Sequence, residues 1–253
     1  VLRGIYLSAS GMTVSKEQLE IAAHNITNVN TPGYRAQQTS VEEFGREILH
    51  RLEGGFGTTI GTLGRGPVTN DPEVKAVSAP TRVTGRPLDI ALNGEDFFIS
   101  LQTTTGTAFS RGGSLFLSAD GYLLDRNGHR VLGQNGPIRI PSDLPAAAVK
   151  INTRGEVLAG EELVDRLALV RIDPQTLGWT EEGLLTTAPA NVIPLKASEE
   201  AVAVGVLEGS NVDLVREMTE LLRLARLYQL NQQTLKVQDT AVKQLTSGVG
   251  EGT

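Results

Sequence analysis

Three histidines, His24, His50 and His129, and four carboxylates of the central region, Asp89, Asp96, Asp120 and Asp125, are the side chains through which this sequence could do acid–base or metal chemistry. The histidines lie in unrelated contexts, and none has the His-Glu-x-x-His spacing that places two imidazoles on one helical face. A lone histidine is more often structural or solvated. The carboxylates could pair as the acid and base of a glycoside hydrolase. However, Asp120 precedes Gly121 as the first residue of an Asp-Gly turn, and Asp89 alternates with Leu88 and Ile90 as the outward face of a strand. Gly54 to Gly66 is rich in glycine but carries no Gly-Lys-Ser/Thr, so a plain loop is a simpler reading than a phosphate cradle. There is no cysteine, which excludes disulfides, thiolate metal sites and a cysteine nucleophile. No catalytic, metal or cofactor site is expected.

A more specific constellation follows the first helical stretch. Asn25 and Asn28 are three apart, on one side of a helical turn, just before Thr31-Pro32-Gly33-Tyr34. Thr31 must be extended before Pro32, Pro32 fixes φ for the first central position of a type II turn, and Gly33 supplies the positive φ of the second. The asparagines can cap frayed backbone locally or bond to a neighbouring chain.

The elements around this segment are set by punctuation. Ten of the eleven prolines and 20 of the 28 glycines fall between residues 54 and 206, whereas 12–31 and 210–247 contain neither. Both ends are therefore read as helices. Each carries an apolar residue at every seventh position: Ile5, Met12, Leu19 and Ile26 near the N-terminus, and Leu214, Leu221, Tyr228, Leu235 and Val242 near the C-terminus. Such stripes need cover. They must pack on each other, on the centre of the chain, or on neighbouring molecules. Ser210 and Asn211 are N-cap candidates for the second helix, Asp213 and Glu217 suit its first turn, and Gly248 and Gly250 mark its stop.

Between the helices the grammar is β. Leu88, Ile90 and Leu92, a turn at Asn93-Gly94, then Phe97, Ile99 and Leu101 read as a hairpin. Turns at Asp120-Gly121, Asn127-Gly128 and Asn135-Gly136 separate further short strands through Ile140, and more follow near 149–151, 167–172 and 202–206. The fold class is α+β, a central antiparallel sandwich or barrel-like region flanked by terminal helices that pack as a coiled coil. Residues 36–66 are ambiguous, because Val41, Phe44, Ile48 and Leu52 could extend a helix before the glycines that follow. The expected division is an N-terminal assembly helix and turn over 1–35, a connector over 36–75, the β-domain over 76–206 and a C-terminal assembly helix over 207–253.

Composition limits partners. A net charge of −6 without a basic tract argues against nucleic acid. No apolar run approaches the roughly 18 residues of a membrane span, so no membrane insertion is expected. Arg3, Ser8, Ser10, Lys16 and Glu17 break up any signal-peptide core.

At the asparagine segment the chain resembles the bacterial flagellar rod and hook family, whose N-terminal signature is Asn-x-x-Asn-x-x-Thr-Pro-Gly followed by an aromatic. Asn25, Asn28, Thr31, Pro32, Gly33 and Tyr34 match in order. Ser210, Asn211 and Val212, within Glu208 to Met218, are similar to the family's approach to its C-terminal helix, and Arg226, Tyr228, Asn231 and Asp239 continue the pattern. Gly85 to Leu92, Phe97-Phe98 and Phe109 to Ser114 are similar to its first core strands. His24, Thr27, Leu227 and Gln229 depart from the pattern. Length and the Arg-Pro-Leu-Asp run favour a rod type over the longer hook subunit. The resemblance implies a structural subunit of the basal-body rod, exported by the flagellar type III apparatus and polymerised with itself and with other rod and hook proteins through its terminal helices. A second class, an envelope enzyme acting on cell-wall glycan through the central strands, stays open at this point.

Overall fold

The computed structural model describes residues 2–250 apart from 44, 54–55, 65, 76, 142–148, 181–182 and 197–199. It divides into two compact units. One comprises Val1–Ile26, Gln38–Pro72 and Leu214–Thr253, the other Thr27–Gln37 and Glu73–Asp213.

The first unit is built on two helices, α1 (Leu2–Thr27) and α2 (Leu214–Gly250). A Cβ on Gly4 would lie 2.6 Å from Nε2 of Gln238, and one on Gly11 would lie 2.9 Å from Nδ2 of Asn231. A step of seven forward along α1 thus matches a step of seven back along α2, so the helices run antiparallel, with long amides seated over glycines. The buried positions of α1 are small: Ser8, Ser15, Ala22 and Asn25, with Val14 beside them. Together with Gly4, Gly11 and Gln18 they form an alternating three–four spacing. Its counterpart on α2 is Glu217, Leu221, Leu224, Tyr228, Asn231, Leu235, Gln238 and Val242, all at least half-buried.

The same unit holds strands where helix was a possible reading. Arg46–Glu53 pairs antiparallel with Phe56–Gly64, with a register shift between Leu49 and His50, and Val41–Glu43 pairs with Pro67–Thr69. A helical continuation through Val41, Ile48 and Leu52 is therefore wrong, and Phe44 lies outside the described residues. The apolar spacing there fits a helix, but the β-branched run Thr58-Thr59-Ile60 and Thr62 supplies a partner strand, and pairing overrides the local period. The strand ladder is fastened to α1. Ser10 Oγ donates to the Pro67 carbonyl, Thr69 Oγ1 to the Glu17 carboxylate, and the Arg3 guanidinium to the Gly64 carbonyl at 3.0 Å.

The second unit consists of antiparallel strands. Phe97–Thr103 is its centre. It pairs with Gly106–Ser110, Arg130–Gly133 and Leu169–Arg171. Beyond Arg130–Gly133 follow Leu123–Leu124 and Phe116–Leu117, and beyond Gly106–Ser110 follow Leu185–Thr186 and Gly178–Trp179. Ile99 and Leu101 belong to one apolar cluster, with Leu115, Leu123, Val131, Ile138 and Val157, whereas Phe98 belongs to another, with Val74, Phe109, Ile172 and Leu185. Successive residues of a strand face opposite ways, so this strand is covered on both sides. Val149–Ile151, Glu156–Ala159 and Glu162–Arg166 form a separate three-stranded sheet.

The turns at 118–121, 125–128 and 134–136 join neighbouring strands as the sequence indicates, with Gly121, Gly128 and Gly136 all at positive φ. One pairing differs. Ile90–Leu92 does not pair with Phe97–Thr103 across Asn93-Gly94; its partner is Val202–Val204, more than 100 residues away, and Thr81–Val83 pairs likewise with Val206–Glu208. The turn exists, but Arg111 occupies the carbonyls around it, and the strand is carried off to a distant partner.

Candidate functional site

The Thr31–Tyr34 turn lies in the second unit beside the residues that lead into α2. Gly33 has φ +70°, and the Tyr34 amide donates to the Thr31 carbonyl at 3.2 Å, closing the expected turn. Asn28 accepts from Thr31 Oγ1 at 3.1 Å, a local contact. The Gly33 amide donates to the carbonyls of Glu208 and Gly209 at 2.9 and 3.1 Å. A side chain at 33 has no room, since a Cβ there would sit 2.3 Å from the Arg111 carbonyl carbon. Gly33→Ala should combine the roughly 1–3 kcal/mol cost of a non-glycine residue at positive φ with an overpacking cost of about the same size. Urea unfolding would read it as a lower midpoint.

Asn211 ties three segments together. Its Oδ1 accepts from the Ala36 amide at 2.6 Å, and its Nδ2 donates to the carbonyls of Lys75 at 3.0 Å and Val77 at 2.8 Å. Ser210 Oγ accepts from the Val212 amide at 3.3 Å. Neither residue is the N-cap of α2, because the helix begins at Leu214 and the Asn211 side chain is already engaged by Ala36, Lys75 and Val77. α2 also runs through Gly248, so that glycine is not its stop. Tyr34 is buried, with its ring 5.7 Å from that of Trp179; Pro32 and Val212 are half-buried.

Beneath these contacts lies a cluster of charge that no sequence motif marks. Glu208, Arg35 and Arg111 are 4%, 3% and 2% exposed. Glu208 Oε1 is 2.9 Å from Arg35 Nη2 and accepts from the Ala79 amide at 3.1 Å, while its Oε2 is 2.7 Å from Arg111 Nη2 and 2.8 Å from Arg111 Nε. Two guanidiniums face one carboxylate. Backbone carbonyls take up the excess: Arg111 Nη1 donates to Gly94 at 2.6 Å and Phe97 at 2.7 Å, and Arg35 Nη1 donates to Val77. Burial lowers the pKa of Arg35, helped by the nearby Arg111 and opposed by Glu208. The cluster joins segment 33–36, the 77–80 segment, the 94–97 turn and segment 205–211 into one body. No shared sequence context marks its members: Arg35 lies in Gly-Tyr-Arg-Ala-Gln, Arg111 in Ser-Arg-Gly-Gly and Glu208 in Val-Leu-Glu-Gly-Ser.

The helix-packing positions divide. Ile5, Met12, Leu19 and Ile26 are only half-buried, because the α1 face turned inward is the small-residue row one position away. Leu221, Tyr228, Leu235 and Val242 lie on the inner face of α2, while Leu214 is exposed. Leu224, 1% exposed, is the best-covered residue of α2 and falls outside the seven-residue stripe. On the opposite side of α2, Val215, Leu222, Leu230 and Val237 are 75%, 60%, 57% and 69% exposed. At about 100° per residue these four fall on the face away from Leu224.

Of the central carboxylates, Asp89, Asp96 and Asp125 are engaged in structural contacts. Asp89 is 1% exposed, against the outward placement expected, and lies 3.6 Å from Arg86 Nη1 and 3.4 Å from Ser114 Oγ. Asp96 pairs with Arg171 at 2.9 Å, and Asp125 accepts from the amides of Asn127 and His129 and contacts the His129 ring at 3.1 Å. Asp120 is exposed at its turn, and His24 is exposed on α1. Among the described residues no three His, Asp or Glu side chains gather as a metal site, and no helix is long and apolar enough to cross a membrane.

Three family profiles match the chain in order: "Flagella basal body rod protein" over residues 5–35, "Flagellar hook protein FlgE/F/G D1 domain" over 91–159, and "Flagellar basal body rod FlgEFG protein C-terminal" over 203–247. The chain belongs to the flagellar basal-body rod protein family. The flagellar basal-body rod protein FlgG of Bacillus subtilis is 28% identical, over 98% of this chain and 99% of its own length. FlgF of Escherichia coli is 26% identical over 93% of each chain, and the flagellar hook-basal body complex protein FlhO of Bacillus subtilis is 25% identical over 99% of this chain and 100% of its own. The chain is a structural protein of the flagellar basal body, in a family that is not one of enzymes. The alternative of a glycan-cleaving central domain has no support.

Proposed function

We propose that this chain is a subunit of the flagellar rod that leaves the cell through the flagellar type III apparatus and polymerises, through its terminal helices, with itself and with other rod and hook proteins into the torque-transmitting axis. The motif residues Asn25, Asn28, Thr31, Pro32, Gly33, Tyr34, Ser210, Asn211 and Val212 hold the chain where each helix meets the β-region. The helices pack as a coiled coil, and the β-strands close as a sandwich around the doubly covered Phe97–Thr103.

The observation that carries this reading is the two-sided α2. Its inner face is occupied by α1, and its outer face leaves Val215, Leu222, Leu230 and Val237 in water. Covering each such side chain contributes about 1.5–3 kcal/mol. A neighbouring subunit supplies that cover, and head-to-tail contacts that do not close extend as a filament. Deleting residues 2–27 from the chromosomal copy removes the inner partner of α2 and should give non-motile cells without rods, scored in swim agar and by electron microscopy of basal bodies. Motile cells with intact rods would overturn the proposal.

A further inference from the structure

The three-stranded sheet of the second unit carries two complementary features at opposite ends of one hairpin. At the base, a cavity of about 290 Å³ is floored by Leu167, Leu169 and Ala201 and rimmed by Arg154, Arg166 and Lys196. The volume is close to the lower end of ordinary ligand pockets, and the charge is opposite to that of a chain with net −6. Arg166 is held in place by Glu156, which accepts from its Nη2 and from Asn152 Nδ2 at 2.6 Å, and the pKa of Glu156 is lowered by these two bonds, that from Asn152 first. The Nε–H of Arg166 is buried with no acceptor. Arg154 and Lys196, both exposed, present positive charge to an incoming carboxylate.

At the tip of the same hairpin, Gly160 and Glu161 form a two-residue loop between Ala159 and Glu162, which pair. A Cβ on Gly160 would meet nothing within 4 Å, Glu161 and Glu162 are exposed, and Leu163 is 54% exposed. Tip and base are four residues apart along the strand, about 13 Å, and the strand is stiff, so the tip does not reach the cavity of its own chain.

We infer that the 160–163 tip of one copy docks in the Arg154–Arg166–Lys196 cavity of the next, with Leu163 on the aliphatic floor and the glutamates on the cationic rim. The occupant is a second copy of this chain because this chain itself presents the matching pair of features, carboxylates beside an exposed leucine. A plug and socket on opposite ends of one hairpin make a contact that repeats without closing. This inference rests on the assembly reading above and names a contact for it outside the helices.

The chain lacks cysteine, so introduced thiols report proximity cleanly. Full-length Glu162→Cys is mixed with full-length Gln134→Cys, which lines the cavity, and oxidised in air with a copper catalyst; Asp120→Cys replaces Glu162→Cys as control. We expect the mixed disulfide dimer to exceed the control at least tenfold, to be lost when Arg154→Glu and Lys196→Glu are added to the cavity copy, and to return when Glu161→Lys is added to the tip copy. It should fall as salt rises. A yield equal to the control, or one indifferent to the charge changes, overturns the contact. Sedimentation of the same samples separates the two failures: assembly without the disulfide overturns the docking alone, while no assembly and no disulfide counts against the assembly reading as well.

Discussion

Glu208→Ala should unfold the second unit at markedly lower urea, by about 3–5 kcal/mol, because it leaves two guanidiniums buried without the carboxylate that both contact. Glu208 is reached by Arg35 at 2.9 Å and by Arg111 at 2.7 Å, and it also accepts from the Ala79 amide. The carbonyls around Arg111 solvate it partially and Glu95 acts on Arg35 electrostatically, but the glutamate at 208 is the carboxylate that both guanidiniums contact. Glu208→Gln is the informative companion. It keeps the shape and one acceptor, so it should cost less than Ala while still losing the charge. Equal, small effects from both substitutions would mean that the carbonyls alone hold the arginines.

The second large effect concerns α2. Leu222→Glu, Leu230→Glu and Val237→Glu together should leave the isolated chain folded, with unchanged helical circular dichroism, since all three side chains are already more than half in water. Assembly should fail, because three aliphatic contacts worth roughly 1.5–3 kcal/mol each are exchanged for carboxylates that would have to be buried. The inner face predicts the reverse. Changes at Leu224 or at Gly11, which sits under Asn231, disturb the chain itself before they affect any neighbour.

What the sequence makes legible is local. Pro32-Gly33 specifies its turn because one residue fixes φ and the next supplies the positive φ, and Gly33 at +70° satisfies that without reference to the rest of the chain. The Gly-marked turns at 121, 128 and 136 are legible for the same reason. Partnership across distance is not. Ile90–Leu92 reads as half of a hairpin because Asn93-Gly94 follows, yet its partner is Val202–Val204, and Asp89 is drawn inward with it. The 41–52 segment has a helical period that loses to the Thr-rich strand after it.

The helices show the same limit in another form. A search for large apolar residues finds Ile5, Met12, Leu19 and Ile26, whereas the inner face of α1 is the small row Gly4, Ser8, Gly11, Ser15 and Ala22, which lets α2 approach closely. Close packing selects for size complementarity, which a hydrophobic period does not register. The charge cluster is not legible in the sequence because its three members are widely separated and each taken alone is an ordinary surface residue type.

The most direct test of the unfinished outer face of α2 is the amount of the Leu222→Glu, Leu230→Glu, Val237→Glu chain found in purified basal bodies, from cells in which it replaces the natural copy. The expected result is a protein absent from basal bodies, no completed rods and no swimming. Rods containing the variant at the natural level would contradict it.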